Sequence, residues 1–77
     1  MKEFVEFIAK HLVDHPDSVS IAESVPNENT VELALRVSSD DVGKVIGKQG
    51  KTAQAMRTLL TAIAAKDGKR AILKILD

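Results

Sequence analysis

Two glycines three residues apart, Gly47 and Gly50, give the sequence its clearest potential for chemistry. Glycine adopts a left-handed backbone at little cost, so Gly47 can end one helix while Gly50 leaves the start of the next free of a side chain. The N–H groups at a helix N-terminus are unpaired and lie at the positive end of the helix dipole. Lys44, Lys48 and Lys51 add positive charge nearby. This combination predicts a loop that binds phosphate groups through its bare backbone.

Charge is distributed unevenly along a chain whose formal net charge is zero. Residues 1–42 contain three basic and nine acidic side chains, whereas residues 43–77 contain eight basic and two acidic ones. No acidic residue occurs between Gly43 and Lys66, a stretch that also contains Arg57. This asymmetry indicates a basic footprint for nucleic acid on an otherwise neutral protein, while a solvated basic helix face would give the same pattern.

A nucleotide-binding P-loop is the main competing interpretation of the two glycines. Gly50-Lys51-Thr52 matches the end of the G-x-x-x-x-G-K-[ST] motif, but the first glycine of that motif would fall at Val45. A short helix rather than a strand is predicted before the loop, and 77 residues are too few for a nucleotide-hydrolysing domain. The sequence therefore argues against this class of site.

Side chains suited to catalysis or metal binding are few. The only histidines, His11 and His15, lie on or just after an acidic helix, and the chain has no cysteine. No cluster has metal-ligand spacing. Asp40 and Asp41 are adjacent, which suits the capping of a helix better than paired acid–base chemistry. We therefore expect neither an enzyme nor a cofactor.

Length and composition predict one small domain spanning residues 1–77. The only aromatic residues are Phe4 and Phe7, so the core must be mostly aliphatic. No apolar run is long enough to cross a membrane, and the first residues are amphipathic rather than continuously apolar. A cytoplasmic protein is therefore expected.

Hydrophobic periodicity predicts three helices and three strands in the order α-β-β-α-α-β. The helices are predicted at residues 2–14, 40–46 and 51–66, and the strands at residues 18–25, 30–38 and 69–76. Pro16 ends the first helix, and Gly68 ends the last one with a left-handed cap. The turn at residues 26–29 makes the first two strands an antiparallel hairpin, in which Glu23 marks an edge strand.

The same periodicity predicts which side chains are buried. Expected inside are Phe4, Val5, Ile8 and Leu12 of the first helix with Phe7 at the margin, Val31, Leu33, Leu35 and Val37 of the second strand, and Met56, Leu59, Leu60 and Ile63 of the long helix. The last strand is apolar on both faces, because Ile72 and Leu76 lie opposite Ala71, Leu73 and Ile75. A second apolar row on an exposed sheet indicates a covered face or a partner.

The string Ile46-Gly47-Lys48-Gln49-Gly50, between a short helix and a long one, resembles the Ile-Gly-x-x-Gly hallmark of the KH domain. In that family the loop clamps the backbone of about four nucleotides. The order of elements resembles the type II KH fold, in which helices pack on one face of a three-stranded sheet. The resemblance covers the whole chain, which is similar in size and sequence to the small stand-alone bacterial KH proteins of the KhpA family.

This resemblance implies a protein that binds single-stranded RNA as an RNA chaperone or post-transcriptional regulator. It also implies a homodimer, or a heterodimer with a larger KH-containing protein. The implied RNA-binding residues are Gly47, Lys48, Gln49, Gly50, Lys44, Lys51, Ile46, Val45 and Arg57, and Val42 is expected to help floor the groove for the bases.

Base recognition at such a site is expected to be weak and tolerant of sequence. With so few aromatic side chains, stacking is not available, and aliphatic packing with backbone hydrogen bonds must serve instead. The alternative function is a KH-like protein-interaction module that dimerises without binding RNA. The intact Gly47 to Gly50 loop weighs against it, because a loop that has lost phosphate binding often carries acidic residues.

Overall fold

A computed structural model describes all residues from 1 to 77 and contains three α-helices and three β-strands. The helices are α1 (Lys2–Leu12), α2 (Val42–Ile46) and α3 (Lys51–Ala65), and the strands are β1 (Ser20–Asn27), β2 (Thr30–Arg36) and β3 (Arg70–Leu76). Short 3₁₀ turns precede β1, α2 and α3 at Pro16–Ser18, Ser39–Asp41 and Lys48–Gly50. The α+β class and the order of elements predicted from the sequence are confirmed.

The central strand of the three-stranded sheet is β2, with β1 antiparallel on one side and β3 parallel on the other. The hairpin closes where Asn27 pairs with Thr30, and Asn27 Oδ1 accepts the N–H of Asn29 at 2.9 Å. The parallel register places Leu33 beside Leu73. Parallel strands need a crossover connection, and α2 and α3 form that connection. As Glu23 indicated, β1 is an edge strand.

The core consists of the inner face of the sheet and one stripe from each helix. Val31, Leu33, Leu35 and Val37 are all buried, as their alternation predicted. The other buried members are Val5, Ala9, Val19, Val45, Met56, Leu60 and Leu73. The outer face of the sheet is open, with Arg36, Ile72, Lys74 and Leu76 exposed. The helices therefore pack on one face only.

Several details differ from the sequence-based expectations. Helix α1 ends at Leu12, two residues earlier than predicted. Leu12, predicted to be buried, is 38% exposed, and Phe7, predicted at the margin, is 64% exposed. Thr30, expected to face solvent, is buried at the start of β2. None of the helices has the length and apolarity needed to span a membrane.

Leu59 and Ile63 of α3 are 49% and 39% exposed, so the expectation that both are buried is wrong. The buried stripe of that helix runs through Ala53, Met56, Leu60 and Ala64. Leu59 and Ile63 lie at the edge of this stripe and share the surface with the exposed Ala55 and Ala62. We call Ala55, Leu59, Ala62 and Ile63 the α3 strip.

Candidate nucleic-acid interface

The loop between α2 and α3 has an uncommon backbone. Gly47 has φ 80° and ψ 173°, a conformation open essentially to glycine alone. Gln49 (φ 57°, ψ 27°) and Gly50 (φ 75°, ψ 10°) are both left-handed. The Gly47 N–H donates to the Gly43 carbonyl at 2.9 Å, and the Gly50 N–H donates to the Gly47 carbonyl at 3.1 Å. The positive φ predicted for Gly47 is confirmed, and Gln49 is the one non-glycine residue of the chain with a positive φ.

The tip of this loop presents positive charge and free backbone groups to solvent. Lys48, Gln49 and Lys51 are exposed, and neither lysine forms an ion pair with a carboxylate. No side chain caps the N-terminus of α3. The Lys51 N–H donates to the Lys48 carbonyl, and the N–H groups that follow it in the first turn have no side-chain acceptor. Because the helix dipole adds to the two lysine charges, an anion is favoured at this point.

The aliphatic residues of α2 divide between the core and the surface. Ile46 is 37% exposed and lies immediately before the loop, where a ligand can contact it. Val45 is fully buried, so in the free protein its side chain packs in the core and does not face the surface next to the loop. Val42 is half-buried and packs against the core. The apolar floor next to the loop is therefore formed by Ile46 and the exposed part of Val42.

Strand β3 offers a free edge beside the long helix. The Leu76 carbonyl accepts the N–H of Val37 at 3.1 Å, so Leu76 turns its backbone groups toward the β2 side of the strand. Residues alternate in a parallel strand, which turns the N–H and C=O groups of Ala71, Leu73 and Ile75 to the open edge. This edge can form hydrogen bonds with the polar groups of a base.

Arg57 joins α3 to this edge of the sheet. Its Nη2 donates to the Leu73 carbonyl at 3.3 Å, and the residue remains exposed. A guanidinium has five N–H donors, so most of them stay available to a ligand. Arg57 therefore lies where α3 meets the free edge of β3.

Lys44, unlike Lys48 and Lys51, forms ion pairs with carboxylates. Its Nζ lies 2.6 Å from Asp14 Oδ2 and 3.4 Å from Asp41 Oδ1, and its side chain is 43% exposed. The hydrogen bond with Asp14 raises the pKa of Lys44, with Asp41 adding to the effect, while burial opposes it. The positive charge that the sequence analysis assigned to Lys44 is therefore paired with two carboxylates in the free protein.

Asp41 has a role that the sequence did not predict. Instead of capping α2, its fully buried carboxylate accepts the N–H of Asp14 at 3.1 Å and the N–H of His15 at 3.0 Å. Burial alone would raise the pKa of Asp41, but these two N–H groups and the Lys44 ammonium outweigh it and hold the pKa below its ordinary value. The buried carboxylate is therefore ionised and fully paired, as a buried charge must be.

Comparison with known families agrees with this geometry. A family model described as the KH domain of KhpA/KhpB matches residues 2–75. The chain belongs to this KH family. A protein of Aquifex aeolicus named RNA-binding protein KhpA is 52% identical over 77 residues, which is all of this chain and 96% of that protein. The protein of the same name in Clostridium acetobutylicum is 49% identical over 76 residues, or 99% of this chain and all of that protein.

A solved structure supports the fold assignment independently. The crystal structure of Era in complex with MgGDPNP and nucleotides 1506–1542 of 16S ribosomal RNA matches with a TM-score of 0.60 and 20% sequence identity. The match covers 97% of this chain and 28% of the Era chain. At this identity the likeness establishes the fold, and the KH architecture predicted from the sequence is confirmed.

Within this KH domain, most of the implied RNA-binding residues lie in the loop or next to it, and two have other surroundings. Gly47, Lys48, Gln49, Gly50 and Lys51 form the loop and the start of α3, with Ile46 directly before the loop and Arg57 further along α3, against β3. Val45 belongs to the core and Lys44 to an ion-pair cluster behind the loop. The sequence analysis expected backbone hydrogen bonds to the bases, but it could not identify β3 as the free edge, because that depends on strand order rather than on residue type.

Proposed function

We propose that this KH domain binds single-stranded RNA, with the RNA backbone crossing the loop from Gly47 to Gly50. The observation that carries the proposal is the uncapped N-terminus of α3 beside two exposed, unpaired lysines, Lys48 and Lys51. A phosphate placed there meets backbone N–H groups, a positive helix end and two cations at once. Relatives that align along 96% or more of their length carry the name RNA-binding protein, in line with this function.

The bases would lie between the loop and the free edge of β3. Ile46 would pack against the face of a base, while Arg57 and the edge groups of Ala71 and Ile75 would form hydrogen bonds. Phe4 and Phe7 both lie on α1, so no aromatic side chain stands on α2, α3 or β3. Without stacking, binding would be short, weak and sequence-tolerant, which suits an RNA chaperone or post-transcriptional regulator. No catalytic step is proposed, and a cytoplasmic location stays a prediction.

The decisive experiment is the double variant Lys48→Asp with Gln49→Asp. It places two carboxylates where phosphates are expected, at a helix end that attracts anions, and should abolish binding to a mixed pool of single-stranded RNA in a mobility-shift assay. Both side chains are exposed, so each substitution should change the free energy of unfolding by only about 0.5 kcal/mol. A folded double variant that binds RNA like the parent would show that the loop is only a turn.

A control with the same change in net charge separates local from global electrostatics. Lys2→Asp with Asn29→Asp removes one positive and adds two negative charges, as the loop variant does, at the start of α1 and at the hairpin tip. Both positions are exposed and lie outside the proposed RNA path. This control should retain most of the parent's affinity, because distant surface charges are screened at physiological salt.

Salt dependence provides a second measure of the same contact. If the loop region neutralises three or four phosphates, the slope of log K against log salt should be about −2 to −3, from about 0.7 per phosphate on single strands. Duplex RNA of the same sequence should bind more weakly, because paired bases cannot reach Ile46 or the β3 edge. Equal affinity for duplex and single strand would contradict the proposed path.

We further propose that the protein self-associates, with the α3 strip as the contact. The open sheet face carries the exposed Ile72 and Leu76, but Arg36, Arg70 and Lys74 interrupt it. The α3 strip instead is continuous along one helix, and its two alanines let a second helix approach closely.

A symmetric pair of antiparallel α3 helices opposes the two helix dipoles and keeps the two lysine-rich loops apart, whereas a parallel pair would bring them together. A second copy therefore fits this strip, and a larger KH-containing protein with a similar helix would fit it in the same way.

A further inference from the structure

Lys44, Asp14 and Asp41 connect parts of the chain that are distant in sequence. Asp14 lies in the connection between α1 and β1, Asp41 directly precedes α2, and Lys44 is on α2 shortly before the glycine loop. The Lys44 ammonium contacts both carboxylates, and Asp41 also accepts the backbone N–H groups of Asp14 and His15. We call Asp14, Asp41 and Lys44 the charge clamp.

The glycine loop depends on such a contact because α2 has only five residues. A helix of that length is not stable alone, so its position is set by what its ends and its buried side touch. Val45 holds its buried side in the core, and Asp41 holds its beginning to the α1–β1 connection. The buried carboxylate of Asp41 therefore fixes the orientation of α2, and with it the position of Gly47.

We propose that Lys44 and Asp41 are positioning residues for RNA binding: the charge clamp fixes the glycine loop against the α1–β1 connection, and Lys44 does not contact the RNA. The clamp contains two carboxylates and one ammonium, so its net charge is negative and a phosphate gains little by approaching it. Lys48 and Lys51 have no acidic partner and are the cations that contact phosphate. This inference rests on the proposed binding of RNA by the loop.

The salt dependence of binding distinguishes a phosphate ligand from a positioning residue. Removing a lysine that neutralises one phosphate lowers the magnitude of the slope of log K against log salt by about 0.7, whereas a residue that acts through position leaves the slope unchanged. We expect Lys48→Gln and Lys51→Gln, the matched controls, to lower the slope. Lys44→Gln should reduce the affinity severalfold at every salt concentration while the slope keeps the parent's value. The probe is a fluorescent single-stranded RNA of mixed sequence.

Substituting Asp14 should change the affinity for RNA in opposite directions, depending on whether Lys44 is a phosphate ligand or a positioning residue. If Lys44 were a phosphate ligand held back by Asp14, then Asp14→Asn would release it and raise the affinity. In a positioning clamp, Asp14→Asn and Asp41→Asn both reduce the affinity with no change in slope. A tighter complex with Asp14→Asn, or a slope that falls for Lys44→Gln as much as for Lys48→Gln, would overturn the proposal.

Amide hydrogen exchange measured in the absence of RNA tests the clamp independently of RNA binding. The clamp predicts that Lys44→Gln and Asp41→Asn accelerate exchange at the Gly47 and Gly50 N–H groups, whose acceptors lie within α2 and the loop. If Asp41→Asn does not fold, Lys44→Gln carries the test, because its side chain is partly exposed and its removal leaves the buried bonds of Asp41 in place. Unchanged exchange in a folded variant would overturn the clamp. A parent that does not bind RNA, with faster exchange in the variants, would instead overturn the proposed function and leave the clamp standing.

Discussion

The side chain of Thr52 occupies the space into which a β-carbon on Gly47 would project. Thr52 Oγ1 and Cβ are the nearest atoms to that position, and the Thr52 backbone nitrogen is 2.9 Å from it. Gly50, by contrast, has no atom within 4 Å of the equivalent position. The two glycines of the motif are therefore not equivalent: packing and backbone together require Gly47, whereas only backbone conformation constrains Gly50 inside the free protein.

Gly47→Ala should lower the free energy of unfolding by about 2–6 kcal/mol. The φ of 80° with ψ of 173° costs a side-chain-bearing residue about 1–3 kcal/mol, and the overlap with Thr52 adds a similar amount. Gly43→Ala is the matched control, since Gly43 is in α2 with nothing within 4 Å, and it should leave stability unchanged or slightly raise it. Urea unfolding followed by circular dichroism measures both, and equal stability of the two variants would contradict the role of Thr52.

Gly50→Asn should retain the fold and lose most RNA binding. Asparagine tolerates the left-handed conformation of Gly50 better than other side chains, so the free energy of unfolding should fall by about 1 kcal/mol or less. The asparagine side chain would nevertheless lie at the N-terminus of α3, where a phosphate is expected to reach the backbone. A mobility-shift assay on the folded variant tests this. Parental affinity would mean that the RNA backbone does not pass Gly50.

The sequence predicted the loop and the sheet well because both depend on local chemistry. Positive φ at Gly47 follows from glycine itself, and the burial of Val31 through Val37 follows from strict alternation in a strand covered on one face. The KH resemblance rests on the same local string. These features need no knowledge of which elements become neighbours.

The features that the sequence did not predict depend on contacts between distant segments. Helix α1 stops at Leu12 because the N–H groups of Asp14 and His15 donate to Asp41 rather than to helix carbonyls, and Asp41 is about 27 residues further along the chain. Helical spacing predicted burial of Leu59 and Ile63 as strongly as burial of Leu60. Which side of α3 is covered depends instead on the placement of β3 and α2, which pack against it.

Acid should destabilise the protein partly through Asp41. Its pKa is held below the ordinary value of 3.8, so its contribution to stability is complete above that value and is lost as the pH falls through the lowered pKa. The free energy of unfolding of the parent should therefore decrease toward pH 2, and Asp41→Asn should make this decrease shallower. Asp17→Asn, at an exposed position in the turn before β1, is the control and should follow the parent. An acid profile of Asp41→Asn as steep as the parent's would contradict the ionised, paired state of Asp41.

The assembly proposal predicts different effects for substitutions at two partly exposed apolar residues, Leu59 on α3 and Ile72 on β3. Leu59→Lys should convert a self-associating protein into a monomer, while Ile72→Lys on the open sheet face should not. Both side chains are partly exposed in the single chain, at 49% and 39%, so neither substitution removes a core residue. Sedimentation velocity at micromolar concentration measures the outcome for the parent and both variants.

The size of the expected effect follows from the symmetry of the pair. A two-fold contact buries Leu59 twice, and completing the burial of a half-exposed leucine contributes about 1.5 kcal/mol, so its loss should weaken dimerisation by about 3 kcal/mol, or more than a hundredfold in Kd. The lysine side chain adds a desolvation cost if the contact still forms.

Because Leu59 lies on α3 away from Arg57 and the loop tip, the monomeric variant should keep its affinity for a short RNA. A parent that is monomeric at every concentration would remove the α3 strip as a self-association site, and a monomeric Ile72→Lys with a dimeric Leu59→Lys would move the contact to the open face of the sheet.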